Sequence, residues 1–183
     1  MVEQQRNIDL NTEEQKIWKI LEEVKDPEVP VLSIIDLGIV RAVQVTSPLS
    51  LASGETGKGP GVRLTITPTY SGCPAMDVIQ MDIRLKLLEK GYKNISIQQS
   101  LSPAWSTDWM TEEGKRKLKE FGIAPPNYKQ QFCSVEMFQH EAVQCPRCNT
   151  FHTEVISQFG STACKALYRC LDCREPFDYF KCH

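Results

Sequence analysis

Four cysteines near the C-terminus, Cys145, Cys148, Cys170 and Cys173, are spaced to hold a single metal ion. They form two C-x2-C pairs with 21 residues between them. Two residues between thiols let both sulfurs of a tight turn reach one ion about 2.3 Å away, and two such turns complete a tetrahedral S4 shell. Structural zinc suits this donor set, and so does iron, because spacing alone does not separate the two. Four unrelated buried cysteines are the bland alternative, against which the paired spacing argues. Cys164, Cys182 and His183 lie close enough in sequence to extend this shell or serve a second ion, whereas Cys133 reads as core.

A second group of reactive residue types lies upstream, in Asp26-Pro27-Glu28-Val29-Pro30, Asp36-Leu37-Gly38 and Thr67-Pro68-Thr69-Tyr70-Ser71-Gly72-Cys73-Pro74. Asp26, Glu28, Asp36 and Thr67 each have an ordinary reading as turn or cap residues. Cys73 stands apart. With Pro74 as the first residue of a helix, its thiol lies at a helix N-terminus, where unpaired amides and the dipole favour the thiolate. An inert buried cysteine is the competing reading. No histidine is fixed beside Cys73 by sequence, so a Cys/His nucleophile is not assembled. Neither glycine-rich region fits a phosphate-binding loop or a dinucleotide fingerprint.

The elements that must position these residues follow from periodicity. Thr12-Glu13-Glu14-Gln15 has capping-box form, and Ile17, Ile20, Leu21 and Val24 recur as on one face of a helix that Pro27 stops. Residues 39–46 and 62–67 alternate like half-buried strands, Val43 and Val45 answering Val62, Leu64 and Ile66 across a hairpin. The intervening loop, 47–61, carries four glycines with proline and serine. After Cys73-Pro74 the period lengthens, with Ile79, Ile83 and Leu87 on one stripe and Gly91 at the end. A third strand is expected around Ile95, Ile97 and Leu101, and a charged helix from Thr111 to Phe121. The fold class expected is α+β, a small two-layer sandwich of order α-β-β-α-β-α over residues 1–123. A proline-containing linker, 124–131, leads to a cysteine-rich zinc ribbon, 132–183, with strands in 151–159 and 166–169. So small a ribbon buries little core and depends on its metal for folding.

Composition narrows the function. Apolar residues make up 41% and charged residues 24%, the balance of a globular protein. Neither a secretion signal nor an apolar run long enough to span a bilayer is present, so the expected address is the cytoplasm, without membrane contact. Eight cysteines in a reducing compartment point to metal or thiol chemistry rather than disulfides. A net charge of −2, with six basic and six acidic residues in 125–183, lacks the footprint of nucleic-acid binding.

Three runs, DPEVPVLSIIDLGIV, TPTYSGCPAMDVI and SPAWSTDWMTEEGKRKL followed by FGIAPP, resemble the iron–sulfur assembly domain of SufT-like proteins. With the cysteine-rich tail attached, the chain is similar to the PaaD-like accessory subunits of bacterial phenylacetyl-CoA epoxidase. The resemblance covers nearly the whole chain except the first ten residues and the loop 47–61, which is longer than the family's usual connection. It implies a non-enzymatic accessory role in aerobic phenylacetate degradation, maturing or maintaining the iron–sulfur or di-iron centres of the oxygenase and reductase subunits, its partners. On that resemblance Cys73 is the family's reactive cysteine, and Asp26 and Glu28, from its DPE motif, line the same pocket beside Thr67. Transient iron or an iron–sulfur cluster would be handled there, while Cys145, Cys148, Cys170 and Cys173 hold zinc. A structural subunit of the epoxidase and an electron carrier with iron in the tail are the alternatives. A homodimer is left open.

Overall fold

The computed structural model describes residues 12–46, 61–126 and 143–181. The side chain of Thr12, the loop between the hairpin strands, Cys133, Cys182 and His183 lie outside the described residues. Helix α1, Thr12–Leu21, packs Ile17, Ile20 and Leu21 inward, as their spacing requires. Strands β1, Val40–Thr46, and β2, Gly61–Ile66, pair antiparallel with Val43 opposite Leu64 and Val45 opposite Val62. Helix α2, Ala75–Glu89, buries Ile79, Ile83 and Leu87 and carries the chain to β3, Asn94–Gln99, which lies parallel to β2. The sheet order is β1-β2-β3, and a last helix, α3 at Glu112–Phe121, completes the α-β-β-α-β-α order.

The ends of α3 obey local rules. The Thr111 hydroxyl accepts the Gly114 amide at 2.9 Å, and Gly122, with φ 91°, closes the other end. Asp36 ties this helix to the rest of the domain. Its Oδ2 accepts from the Ser33 amide at 2.9 Å and from Lys117 at 2.8 Å, and its Oδ1 from the Thr111 hydroxyl at 3.2 Å. Gly38, two residues on, adopts φ 67°, and an added Cβ would lie 2.2 Å from the Trp109 carbonyl oxygen. Only glycine satisfies both demands.

The C-terminal sheet has three strands, β4 at Thr153–Ser157, β5 at Lys165–Cys170 and β6 at Pro176–Phe180, in that order and antiparallel. The sequence suggests only the first two. Phe177 and Tyr179 of β6 join Ala166, Tyr168 and Val143 in a small core of their own. This module packs directly on the first. The Ala124 amide donates to the Asp178 carbonyl at 2.8 Å, and the Phe180 amide to the Ala124 carbonyl at 2.9 Å. Phe180 and Cys164 are buried in the larger domain's core, where the Phe180 ring meets Trp105 edge-on at 6.2 Å. Trp105 is held in turn by a hydrogen bond from its indole N–H to the Leu37 carbonyl at 2.9 Å. Among the described residues no helix is long and apolar enough to cross a membrane.

Candidate metal centre and thiol pocket

The two C-x2-C turns are built alike. The residue after each pair takes a left-handed conformation, Asn149 at φ 61° and Arg174 at φ 62°, turning the chain back beneath the sulfurs. The Cys145 amide donates to the Thr150 carbonyl at 2.8 Å, and the Cys170 amide to the Glu175 carbonyl at 3.0 Å. The Leu171 amide reaches the His152 carbonyl at 2.8 Å, stitching one turn to the other. All four sulfurs then lie within 4.8 Å of one another. Cys145 and Cys173 are 3.8 Å apart and Cys148 and Cys170 3.5 Å. A tetrahedron of thiolates around zinc has edges of about 3.8 Å, so the donor set fits a metal of that size.

Electrostatics give the reason a cation belongs there. Burial opposes ionisation of Cys170, but the amides of Cys173 and Asp172 bring its thiol down to about 7. The Glu175 amide favours the Cys173 thiolate, yet burial and the three neighbouring sulfurs push it up to about 12. The Cys170 thiolate forms easily while Cys148 and Cys173 resist, because like charges would crowd together. A divalent ion removes that obstacle, and its binding releases protons.

Cys164 does not join this shell. It sits just before β5 and Cys170 ends that strand, a span of about 20 Å at 3.3 Å per residue. Its thiol instead donates to Glu28 Oε2 at 3.4 Å and lies 3.0 Å from the Thr162 hydroxyl, with only 5% of the residue exposed. Glu28 is presented by a turn that Asp26 shapes, its Oδ1 accepting the amides of Glu28 at 2.8 Å and Val29 at 2.7 Å. Burial raises the Asp26 carboxyl above the usual range, against those amides and with the help of the Glu28 charge.

Cys73, half-buried, is near the same carboxylates. Helix α2 begins at Ala75, one residue later than the sequence suggests, with Pro74 already helical at φ −68° and ψ −22°. The Ala75 amide does hydrogen-bond the Cys73 sulfur and the Tyr70 hydroxyl donates to it, both favouring thiolate. Burial nevertheless outweighs them, and the charges of Glu28 and Asp26 add to it, so the pKa of Cys73 is raised. Burial therefore works against the thiolate expected at this helix start. Burial likewise raises the Tyr70 hydroxyl, followed by Cys73, Glu28 and Cys164. Thr67, also buried, lines an adjoining cavity of about 320 Å³ with Thr69, Tyr70 and Trp105. The Tyr70 hydroxyl thus bonds Cys73, on which the charges of Glu28 and Asp26 act, and Cys164 bonds Glu28, a contact for which local sequence holds no signal.

The fold is an α+β domain carrying a four-cysteine ribbon on its flank. Residues 14–97 match the family described as "Iron-sulfur cluster assembly protein", and residues 129–181 the "PaaD zinc beta ribbon domain". The chain is 47% identical over 167 residues to a putative 1,2-phenylacetyl-CoA epoxidase subunit of Escherichia coli, covering 91% of this chain and 92% of the relative. It therefore belongs to the PaaD family. A "Fe-S protein maturation auxiliary factor" of Porphyromonas gingivalis is 37% identical over 110 residues, 60% of this chain and 92% of that protein. A crystal structure of a "Domain of Unknown Function DUF59" from Bacillus anthracis is 27% identical, with a TM-score of 0.48, covering 57% of this chain and 90% of that one.

Proposed function

We propose that this protein is a non-enzymatic maturation factor for the metal centres of a phenylacetyl-CoA epoxidase system, receiving ferrous iron or an iron–sulfur cluster at Cys73 and passing it to the oxygenase or reductase. The observation that carries this reading is a half-buried thiol just before α2, on which the charges of two carboxylates act, in a region that matches the iron–sulfur assembly family. A thiol whose pKa burial raises must lose its proton to bind iron, so protons compete with the cargo. Such competition suits a site that releases what it holds. Zinc in the four-cysteine shell is the structural partner of this chemistry, fixing the small ribbon that docks against the pocket.

The relative named as an epoxidase subunit favours one second reading, a permanent structural role in the oxygenase assembly. A single experiment separates the two. The epoxidase components are produced anaerobically with either the wild-type chain or Cys73→Ala, and their iron and acid-labile sulfide are measured. The maturation role requires a several-fold loss of metal in the client with Cys73→Ala while zinc in the variant stays at one per chain. Fully metallated client would overturn it. Loss of turnover on omitting this protein from already metallated enzyme would favour the structural role.

A further inference from the structure

Helix α2 carries two apolar stripes, and the core uses only one of them. Met76, Ile79, Ile83 and Leu87 are buried in the larger domain's core, whereas Val78, Met81, Leu85 and Leu88 are between 48% and 65% exposed. At about 100° per residue the second set lies on the opposite side of the helix from the first. Both flanks between the stripes are already in use. Lys86 reaches Glu23, just after α1, at 3.3 Å, and Arg84 donates to the Ile95 carbonyl of β3 at 3.0 Å. A surface helix ordinarily has a single apolar stripe with a polar face behind it. Exposed apolar side chains scattered singly would need no explanation, but spacings of three, four and three residues make a continuous seam about 15 Å long, the pattern by which one helix packs on another.

Charge decides what this seam fits. Asp77, Asp82 and Glu89 border it, and Asp77 and Asp82 enter no ion pair among the described residues. Glu89 has only a 4.0 Å approach from Lys86, and the nearest cations, Arg84 and Lys86, are turned to Ile95 and Glu23. A second copy of the chain fits poorly. Two α2 helices packed on these seams would set Asp82 against Asp82 if antiparallel and against Asp77 if parallel, and like charges so placed repel. Four side chains also fall well short of the ~800 Å² per partner that a stable interface buries. An anionic lipid surface would be repelled by the same acids.

We infer that the outer face of α2 is a docking seam for an amphipathic helix of another protein, one that presents apolar side chains at the same three-and-four spacing with lysine or arginine along its borders. The seam runs to the end of α2 that adjoins Cys73, so a helix seated on it lies close to the thiol. This inference rests on the maturation role for the identity of that protein, the oxygenase or reductase component, and names the surface on which it is recognised.

The test uses the full-length, zinc-loaded protein, with the purified oxygenase and reductase components of the epoxidase system as probes. Affinity is measured by titration calorimetry for the wild type, Met81→Gln/Leu85→Gln and Asp77→Asn/Asp82→Asn. None of these four side chains belongs to the core, so zinc content and thermal midpoint should match the wild type. One component should bind, and loss of two apolar anchors should weaken that binding by roughly tenfold or more. Loss of the two carboxylates should weaken it several-fold at low salt and hardly at all at high salt. Hydrogen exchange on the bound component should show one protected amphipathic helix with basic borders. Binding that is unchanged in the Met81→Gln/Leu85→Gln variant, protection of an acidic segment instead, or failure of both components to bind the wild type would overturn the seam. Sedimentation equilibrium of the protein alone addresses the other occupant: a wild-type dimer that this variant turns into monomers would give the seam to a second copy and overturn the inference. The two proposals fail separately. A client that is fully metallated with Cys73→Ala, yet still binds through α2, ends the maturation role and leaves the seam standing.

Discussion

Cys73 sits between opposing influences, and the balance determines how it reacts. The Ala75 amide and the Tyr70 hydroxyl stabilise the thiolate, while burial and the carboxylates of Glu28 and Asp26 disfavour it, burial being the largest. An ordinary cysteine has a pKa of about 8.5, and Cys73 should alkylate with iodoacetamide along a profile displaced to higher pH. Tyr70→Phe removes one of the two groups that favour the thiolate, so the profile should move further up. Alkylation of Cys73 that is already complete and pH-independent near neutrality would show a thiolate, and burial would then not be the dominant influence on this thiol. Nothing in the TPTYSGCP run forecasts a raised value. The helix N-terminus is legible from Cys73-Pro74, whereas the carboxylate charges that act on the thiol come from a turn far away in sequence.

The turn from Ser33 to Gly38 and helix α3 work as one element. Burial acts against the Asp36 charge, but its bonds from Lys117 and Ser33 together hold the carboxyl below the usual carboxylate value. The folded state therefore binds fewer protons at this position than the unfolded chain, whose value is about 3.9. Stability from the charge is complete above that value and is lost as pH falls through the folded one. Asp36→Asn should cost about 2 kcal/mol at neutral pH, the worth of charge-assisted bonds left short of a partner. The difference from wild type should shrink in acid, read from urea midpoints at the two pH values; an unchanged gap would mean that shape rather than charge is at stake. Elements of this kind divide into those that sequence reveals and those that it hides. Val43, Val45, Val62 and Leu64 alternate strongly enough to give both strands and their pairing, and Ile79, Ile83 and Leu87 give the buried face of α2. Strand β6 is hidden because Pro176 and Asp178 interrupt a five-residue segment directly after a cysteine turn, and its buried aromatics gain meaning only beside Tyr168. The four-sulfur shell is local in each half and legible, while the Glu28–Cys164 contact joins distant segments and is not.

At the scale of the molecule, two small cores share one boundary. The ribbon's own core of Tyr168, Phe177 and Tyr179 is modest, and a module of this size draws stability from its metal and from docking. Phe180 belongs to the other core, edge-on to Trp105, which is itself held by the Leu37 carbonyl at the Asp36–Gly38 turn. A chain of contacts thus runs from α3 through that turn and Trp105 to Phe180, on the module whose Cys164 bonds Glu28. Phe180→Ala removes the ring at the boundary and leaves the sulfur shell and ribbon core untouched. Truncation of a buried phenylalanine costs about 3 kcal/mol or more, so the thermal midpoint should fall while one zinc per chain is retained. Alkylation of Cys164 should then accelerate several-fold as the ribbon loosens from the pocket, whereas Cys145 and Cys170 stay protected by zinc. A destabilised variant in which Cys164 labels no faster than in the wild type would mean that the Ala124 bridge alone holds the ribbon in place, with the aromatic contact contributing stability but not the geometry of the pocket.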